Sequence, residues 1–170
     1  MKKKADIERI DIKSIKDPAF VKTLNRQQLE WLCEDIRTEI LASVSSHGGH
    51  LSSNLGVVEL TVALHRSFDF PKDKLIFDVG HQSYTHKVLT GRDLETLNCP
   101  GGIAGFQKIR ESEYDPYEAG HSSNSISAAE AFAVTRDQKK ENQNIIAVVG
   151  DASIVNGLAF EAMNDVGGRG

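Results

Sequence analysis

From Asn25 onward the apolar residues Leu29, Leu32, Cys33, Ile36, Ile40 and Val44 recur at helical spacing, with Asn25 and Gln28 placed as a cap and its partner. This predicts a helix over about 26–45. It runs into Ser45-Ser46-His47-Gly48-Gly49-His50, where two glycines and small polar residues stop the helix and bring backbone close to its surroundings. Val57 to Phe68 reads as a second, largely buried helix closed by Pro71. Leu75 to Val79 is a short apolar run without alternation, which suits a parallel strand covered on both faces. Tyr84 to Thr90 reads as helical with Gly91 as its stop. Residues 98–120 hold four glycines, two prolines and many charges without periodicity, a long loop of the kind that more often carries function than not. Ser122 to about Lys139 is alanine-rich and helical, Asn144 to Val149 is a second buried strand running into Gly150-Asp151, and a further helix starts near Asn156.

Helices alternating with strands imply an α/β fold, a parallel sheet flanked by helices, whose ligands sit outside the carboxyl ends of the strands. Residues 1–24 are mixed in polarity and read as an amino-terminal surface arm, with the domain over 25–170.

Composition narrows the function classes. A chain of 170 residues with 39% hydrophobic content suits one buried core, and a net charge of -4 with basic residues scattered among acids disfavours nucleic acid. Met1-Lys2-Lys3-Lys4 is followed by Asp6, Glu8, Arg9 and Asp11 where an export signal needs an apolar stretch. The greasiest runs are interrupted by His65, Asp69 and Asp78, so no membrane span is expected. Cys33 and Cys99 lack zinc-site spacing and read as reduced, structural residues, in keeping with the cytoplasm.

Both strands end in glycine followed by a polar residue, Val79-Gly80-His81 and Val149-Gly150-Asp151. A carboxylate at a strand end can hold a divalent cation while nearby backbone N–H groups take phosphate oxygens; equally, Asp151 can simply cap the next helix. Gly120-His121-Ser122-Ser123 opens the alanine-rich helix and presents amides and hydroxyls to an anion, or serves as an ordinary serine cap. His50 and His81 lie in glycine-flanked turns, where imidazole can donate to phosphate or move protons, or be structural. His65 and His86 sit inside helices and read as core or surface residues.

Taken together these motifs resemble a known family. His50-Leu51-Ser52-Ser53-Asn54-Leu55-Gly56, Asp78-Val79-Gly80-His81-Gln82-Ser83-Tyr84, Glu111-Ser112-Glu113-Tyr114-Asp115, Gly120-His121-Ser122-Ser123 and Gly150-Asp151 with Ala159-Phe160-Glu161-Ala162 stand in family order. The set resembles the amino-terminal, diphosphate-binding domain of the 1-deoxy-D-xylulose-5-phosphate synthase family; transketolases share only its outline. The resemblance implies a thiamine-diphosphate-binding fold, incomplete at the carboxyl end. It also implies a reaction that condenses pyruvate with glyceraldehyde 3-phosphate with loss of CO2, feeding isoprenoid, thiamine and pyridoxal synthesis. Carried over residue by residue, Asp151 matches the magnesium ligand, and Ala152 with Ser153 the pair whose backbone meets the diphosphate. His81, Gly120, His121 and Ser122 match cofactor contacts, and His50 a histidine suited to proton transfer or to holding substrate.

The departures carry expectations of their own. The family's glycine after the metal-binding aspartate is Ala152 here and a following small position is Asn156, so the turn beside the diphosphate is expected to be bulkier. If position 152 requires positive φ, alanine there costs on the order of 1 kcal/mol. Thr85 replaces a proline, and Gln107 and Ile109 replace a proline and an arginine in the long loop, which predicts a repositioned loop. The family is several times longer than this chain, so the resemblance implies an incomplete catalyst. Three readings follow: a synthase subunit that works as a homodimer or with a partner chain carrying the missing domains; an inactive relic or regulatory module; and a transketolase amino-terminal subunit, which the stretch from Glu111 to Ala129 disfavours.

Overall fold

The computed structural model describes residues 8–169. Helix α1 (Arg26–His47) starts at a reciprocal capping box: Asn25 Oδ1 accepts from the Gln28 N–H at 3.0 Å, and Gln28 Oε1 accepts from the Asn25 N–H at 3.2 Å. Its stop is Gly48, at φ 71°, a conformation that favours glycine. Leu32, Cys33, Ile36 and Ile40 form the buried stripe. The predicted loop that follows contains a short helix, α2 (Leu51–Leu55), before α3 (Val58–Ser67) buries Val58, Thr61, Val62 and His65.

Strand β1 (Lys74–Phe77) pairs in parallel with β2 (Ile145–Val148), in register from Lys74 opposite Ile145 to Phe77 opposite Val148. β1 ends earlier than its apolar run because Val79 turns to φ 63°, a strained conformation for a β-branched residue, and Gly80 follows at φ 92°. There the backbone N–H of Gln107 would lie 2.9 Å from a Cβ on residue 80, so glycine is required both for φ and for space. Helix α4 (Tyr84–Leu89) is buried throughout. Residues 98–120 contain no helix or strand, as expected, and lead to α5 (Ser125–Lys139), which begins at Ser125 rather than Ser122. After β2 come a single turn, α6 (Asp151–Ile154), and α7 (Gly157–Arg169), whose start is held by Asn156 Oδ1 accepting from the Leu158 N–H at 3.0 Å.

Two expectations are corrected. The segment read as a surface arm packs into the core over its described part, residues 8–24: two 3-10 turns, Ile12–Ser14 and Pro18–Thr23, bury Ile15, Val21 and Leu24 against α1, α3 and α4. Arg66 of α3 fastens it by donating to the carbonyls of Val21 and Leu24 at 3.1 and 2.8 Å. β2, in turn, is only half-buried along its length. α5 buries Ser125 alone and α7 only Ala159 and Ala162, so this side of the sheet is thinly covered among the described residues. Phe160 (58% exposed) and Val155 (70%) stand out as exposed apolar side chains. No helix among the described residues is long and apolar enough to cross a membrane.

Candidate functional site

The carboxyl ends of β1 and β2 open onto a cavity of about 400 Å³ lined by Ser52, Ser53, His81, Asp151, Ala152 and Ser153, among others. The strand ends bring His81 and Asp151 to the same place although they lie far apart in sequence, and α2 forms the opposite wall. Asp151 is exposed and is the first residue of α6; Gly150, not Asp151, is its cap. The capping alternative is therefore set aside: the Asp151 carboxylate has no hydrogen-bond or ion-pair partner among the described residues. At the first turn of a helix the backbone N–H groups have no intrahelical acceptor. Here the N–H groups of Ser153 and Ile154 are satisfied by the Gly150 carbonyl, at 3.1 and 3.0 Å, while those of Asp151 and Ala152 have no acceptor among the described residues. Of the pair expected to meet a diphosphate through backbone, Ala152 offers its amide, whereas Ser153 offers its hydroxyl. Ala152 lies within α6 with helical backbone and is not among the positive-φ residues, so the expected strain is absent; its methyl is exposed.

The buried side chain of Asn54 joins the two histidine turns. Its Nδ2 donates to the carbonyls of His50 (2.5 Å) and His81 (2.8 Å), and its Oδ1 accepts from the Tyr84 N–H (2.9 Å) that begins α4. Tyr84 Oη accepts from the His50 N–H at 3.3 Å, completing the tie. The three histidines of the site then stand in a row. His50 and His81 have ring centroids 5.0 Å apart, and His81 stacks on His121 at 5.9 Å with an interplanar angle of 13°. Phe106 meets His50 edge-on at 5.8 Å. Burial, together with the neighbouring His50 and His121 rings, pushes the His81 pKa below its ordinary value, and its Nδ1 is buried without a partner.

The turn before α5 is placed by Asp78, at the end of β1, whose Oδ2 accepts from the Ser125 N–H (3.2 Å) and hydroxyl (2.5 Å). Gly120 and Ser122 are exposed on that turn beside His121 and do not line the cavity; His50 does not line it either. His81 is thus the joint between the carboxylate side of the site and the imidazole row. Sequence reasoning passed over Asn54 and Asp78 as agents; the signal available was their position inside the two motifs that turn at His50 and His81. A larger groove of about 500 Å³ between α1 and α3 contains none of the expected site residues, and its Arg37 and Glu59 pair with each other at 2.5 Å. Among the described residues no group of three or more His, Cys, Asp or Glu side chains could hold a metal ion, and Asp151 stands as a single carboxylate.

A parallel sheet with a cavity at its strand ends, partly apolar through Val57, Leu60, Val148 and Val149 and bearing a lone carboxylate and helix-start amides, defines the class: a ligand-binding α/β domain of the open-sheet type. Comparison with known proteins makes this specific. The model of the 1-deoxy-D-xylulose-5-phosphate synthase family matches residues 12–170. The 1-deoxy-D-xylulose-5-phosphate synthase of Listeria innocua is 52% identical over 163 residues, 95% of this chain and 26% of that protein. Those of Bacillus licheniformis and Macrococcus caseolyticus are 52% and 49% identical over 160 residues, 93% of this chain and 25% and 26% of theirs. The chain belongs to the 1-deoxy-D-xylulose-5-phosphate synthase family, a family of transketolase-type transferases, and spans about a quarter of the length of the curated relatives it matches.

Proposed function

We propose that this chain supplies the surface that holds the diphosphate and magnesium end of thiamine diphosphate in a cytoplasmic 1-deoxy-D-xylulose-5-phosphate synthase. Pyruvate and glyceraldehyde 3-phosphate are the substrates. The observation that carries the reading is the cavity in which the Asp151 carboxylate, the Ser52, Ser53 and Ser153 residues and the His81 ring converge at the ends of both strands.

The donor set fits such a group. Magnesium is commonly bound through one or two carboxylates and the phosphate oxygens of its ligand, so a single unpaired carboxylate beside an anion site fits as one part of its coordination, completed by the ligand and the rest of the assembly. Asp151 would take the metal, the Asp151 and Ala152 amides and the Ser153 hydroxyl the diphosphate oxygens. His81 is held neutral at neutral pH by its burial and its neighbours, so it meets the cofactor as a hydrogen-bonding group rather than as a cation. Gly120, His121 and Ser122 approach from the far side of His81. His50, exposed at the end of the row, is the residue of the set free to move a proton or hold substrate. When bound, the cofactor supplies the carbanion-stabilising chemistry of the decarboxylating condensation.

The remaining three quarters of the family's length belongs to the working assembly, either as a homodimer or with a partner chain. The test is an assay for 1-deoxy-D-xylulose 5-phosphate with this chain alone, and with a polypeptide spanning the rest of the Listeria innocua relative. Product is expected from the mixture and not from the chain alone. A folded, associated mixture that makes no product contradicts the reading.

A further inference from the structure

A buried ionic cluster outside the cavity holds the loop that bears Phe106 against His50 and leads to His121. Asp115, 1% exposed, accepts hydrogen bonds from three directions: His86 Nε2 on α4 (3.0 Å), Arg92 just beyond α4 (2.5 and 3.0 Å) and the Lys108 N–H (3.0 Å). Beside it Glu111 accepts from the fully buried Lys87 (2.6 Å) and the Ala104 N–H (2.7 Å). Two carboxylates thus face two cations, and the charges balance. The neutral histidines of the cluster are ordered by the same carboxylate. With Asp115 accepting from His86 Nε2–H, His86 Nδ1 is left to accept from His65 Nε2–H at 3.0 Å. The bare nitrogen is then His65 Nδ1, which is the ring nitrogen of the two that is buried without a partner.

These groups pin residues 98–120 to α4, and the site residues hang from either side of the pin. Before it, Phe106 meets His50; after it, His121 stacks on His81. Among the described residues the only backbone–backbone bond between Asp115 and Ser125 is from the Ser122 N–H to the Gly120 carbonyl, at 2.9 Å. Asp115 and the Asp78–Ser125 contact are therefore the buried anchors on either side of the turn that bears His121, with Glu118 adding a more exposed tie to the Ile109 N–H at 3.2 Å and to Lys108 at 3.7 Å.

We infer that Asp115 is a positioning residue: by tying its segment to His86 and Arg92 it sets where the turn bearing His121 meets His81 beside the cavity. Its effect on cofactor affinity rests on the proposed function. Asp115→Asn leaves the buried Arg92 and Lys87 to share the single carboxylate of Glu111, at 3.6 and 2.6 Å, a change expected to weaken the fold itself. It is therefore compared with Asp115→Asn/Arg92→Met, in which the charges balance. The ring-proton resonances of His81 and His121 are measured in the full chain beside its thermal melt, and magnesium-dependent thiamine-diphosphate binding by calorimetry in the chain associated with a polypeptide that spans the rest of the Listeria innocua relative. In the double variant the His81 and His121 resonances should shift as their stacking is lost. Trypsin cleavage after Arg110 should quicken, and affinity should fall on the order of tenfold, as for groups that orient a site from outside it, at a temperature where the melt shows a folded protein. Unshifted His81 and His121 resonances overturn the inference, as does an affinity equal to the parent's. A parent chain that binds no thiamine diphosphate counts instead against the proposed function.

Discussion

The carboxamide of Gln107 stands in for a neighbouring strand at Leu75: its Nε2 donates to the Leu75 carbonyl at 3.0 Å while its Oε1 accepts from the Phe77 N–H at 2.9 Å. β2 occupies the other edge of β1, so a side chain of the long loop takes up hydrogen-bonding groups on the free edge of that strand. Gln107→Ala leaves buried backbone groups unsatisfied and should lower stability by about 2–4 kcal/mol. Urea unfolding measures this; a change under ~0.5 kcal/mol contradicts the edge-closing role.

Asn54 ties His50, His81 and Tyr84 through three hydrogen bonds from a fully buried position. Asn54→Ala should lower stability by a similar ~2–4 kcal/mol and separate the His50 and His81 rings. Cross-relaxation between the two ring-proton sets, present in the parent and lost in the variant, reports the separation. Its persistence in the variant contradicts the tie.

Acidification should unfold the protein in two stages. Burial depresses the pKa values of His65 and His86, so each binds a proton more readily in the unfolded chain. Stability is then level above the ordinary histidine pKa of ~6.5 and falls as pH drops below it, by at most about 2.7 kcal/mol per pH unit for two protons. Burial raises the Asp115 carboxyl, but hydrogen bonds from His86 and Arg92 outweigh burial and hold it well below the usual range. Its contribution is present above ~3.9 and is lost as pH falls further. Urea midpoints at a series of pH values test the sign: stability that rises between pH 6.5 and 5 contradicts the neutral histidine pair.

The thinly covered side of the sheet should associate. Val155, Leu158, Phe160 and Val166 are exposed along α6 to α7, and β2 has no second neighbour among the described residues. Size-exclusion chromatography should show self-association that Phe160→Glu reduces. A concentration-independent monomer in the parent contradicts this.

The long amphipathic elements were legible because periodicity needs length: α1 shows its stripe from Leu32 to Ile40 and its capping box in Asn25 and Gln28. α2 and α6, at five and four residues, are too short for any period to register. The early end of β1 was hidden because Val79 continues the apolar run while its backbone turns to positive φ. Residues 8–24 read as a polar arm because Ile15, Val21 and Leu24 are spaced for 3-10 turns rather than for one helical face. The site was legible as strand ends and glycine-flanked histidines. The Lys87–Glu111 and His86–Asp115 pairs were not, since they join residues 24 and 29 apart with no local pattern linking them.

The most direct measurement is calorimetric titration of thiamine diphosphate, in magnesium, into the parent chain, Ala152→Gly and Asp151→Ala, each associated with a polypeptide that spans the rest of the Listeria innocua relative. Since Ala152 is helical and unstrained, Ala152→Gly should bind within about fivefold of the parent, a difference worth roughly 1 kcal/mol. Asp151→Ala should show no magnesium-dependent binding. Equal affinity of the parent and Asp151→Ala contradicts the assignment of Asp151 as the metal ligand, and with it the proposed role of the chain.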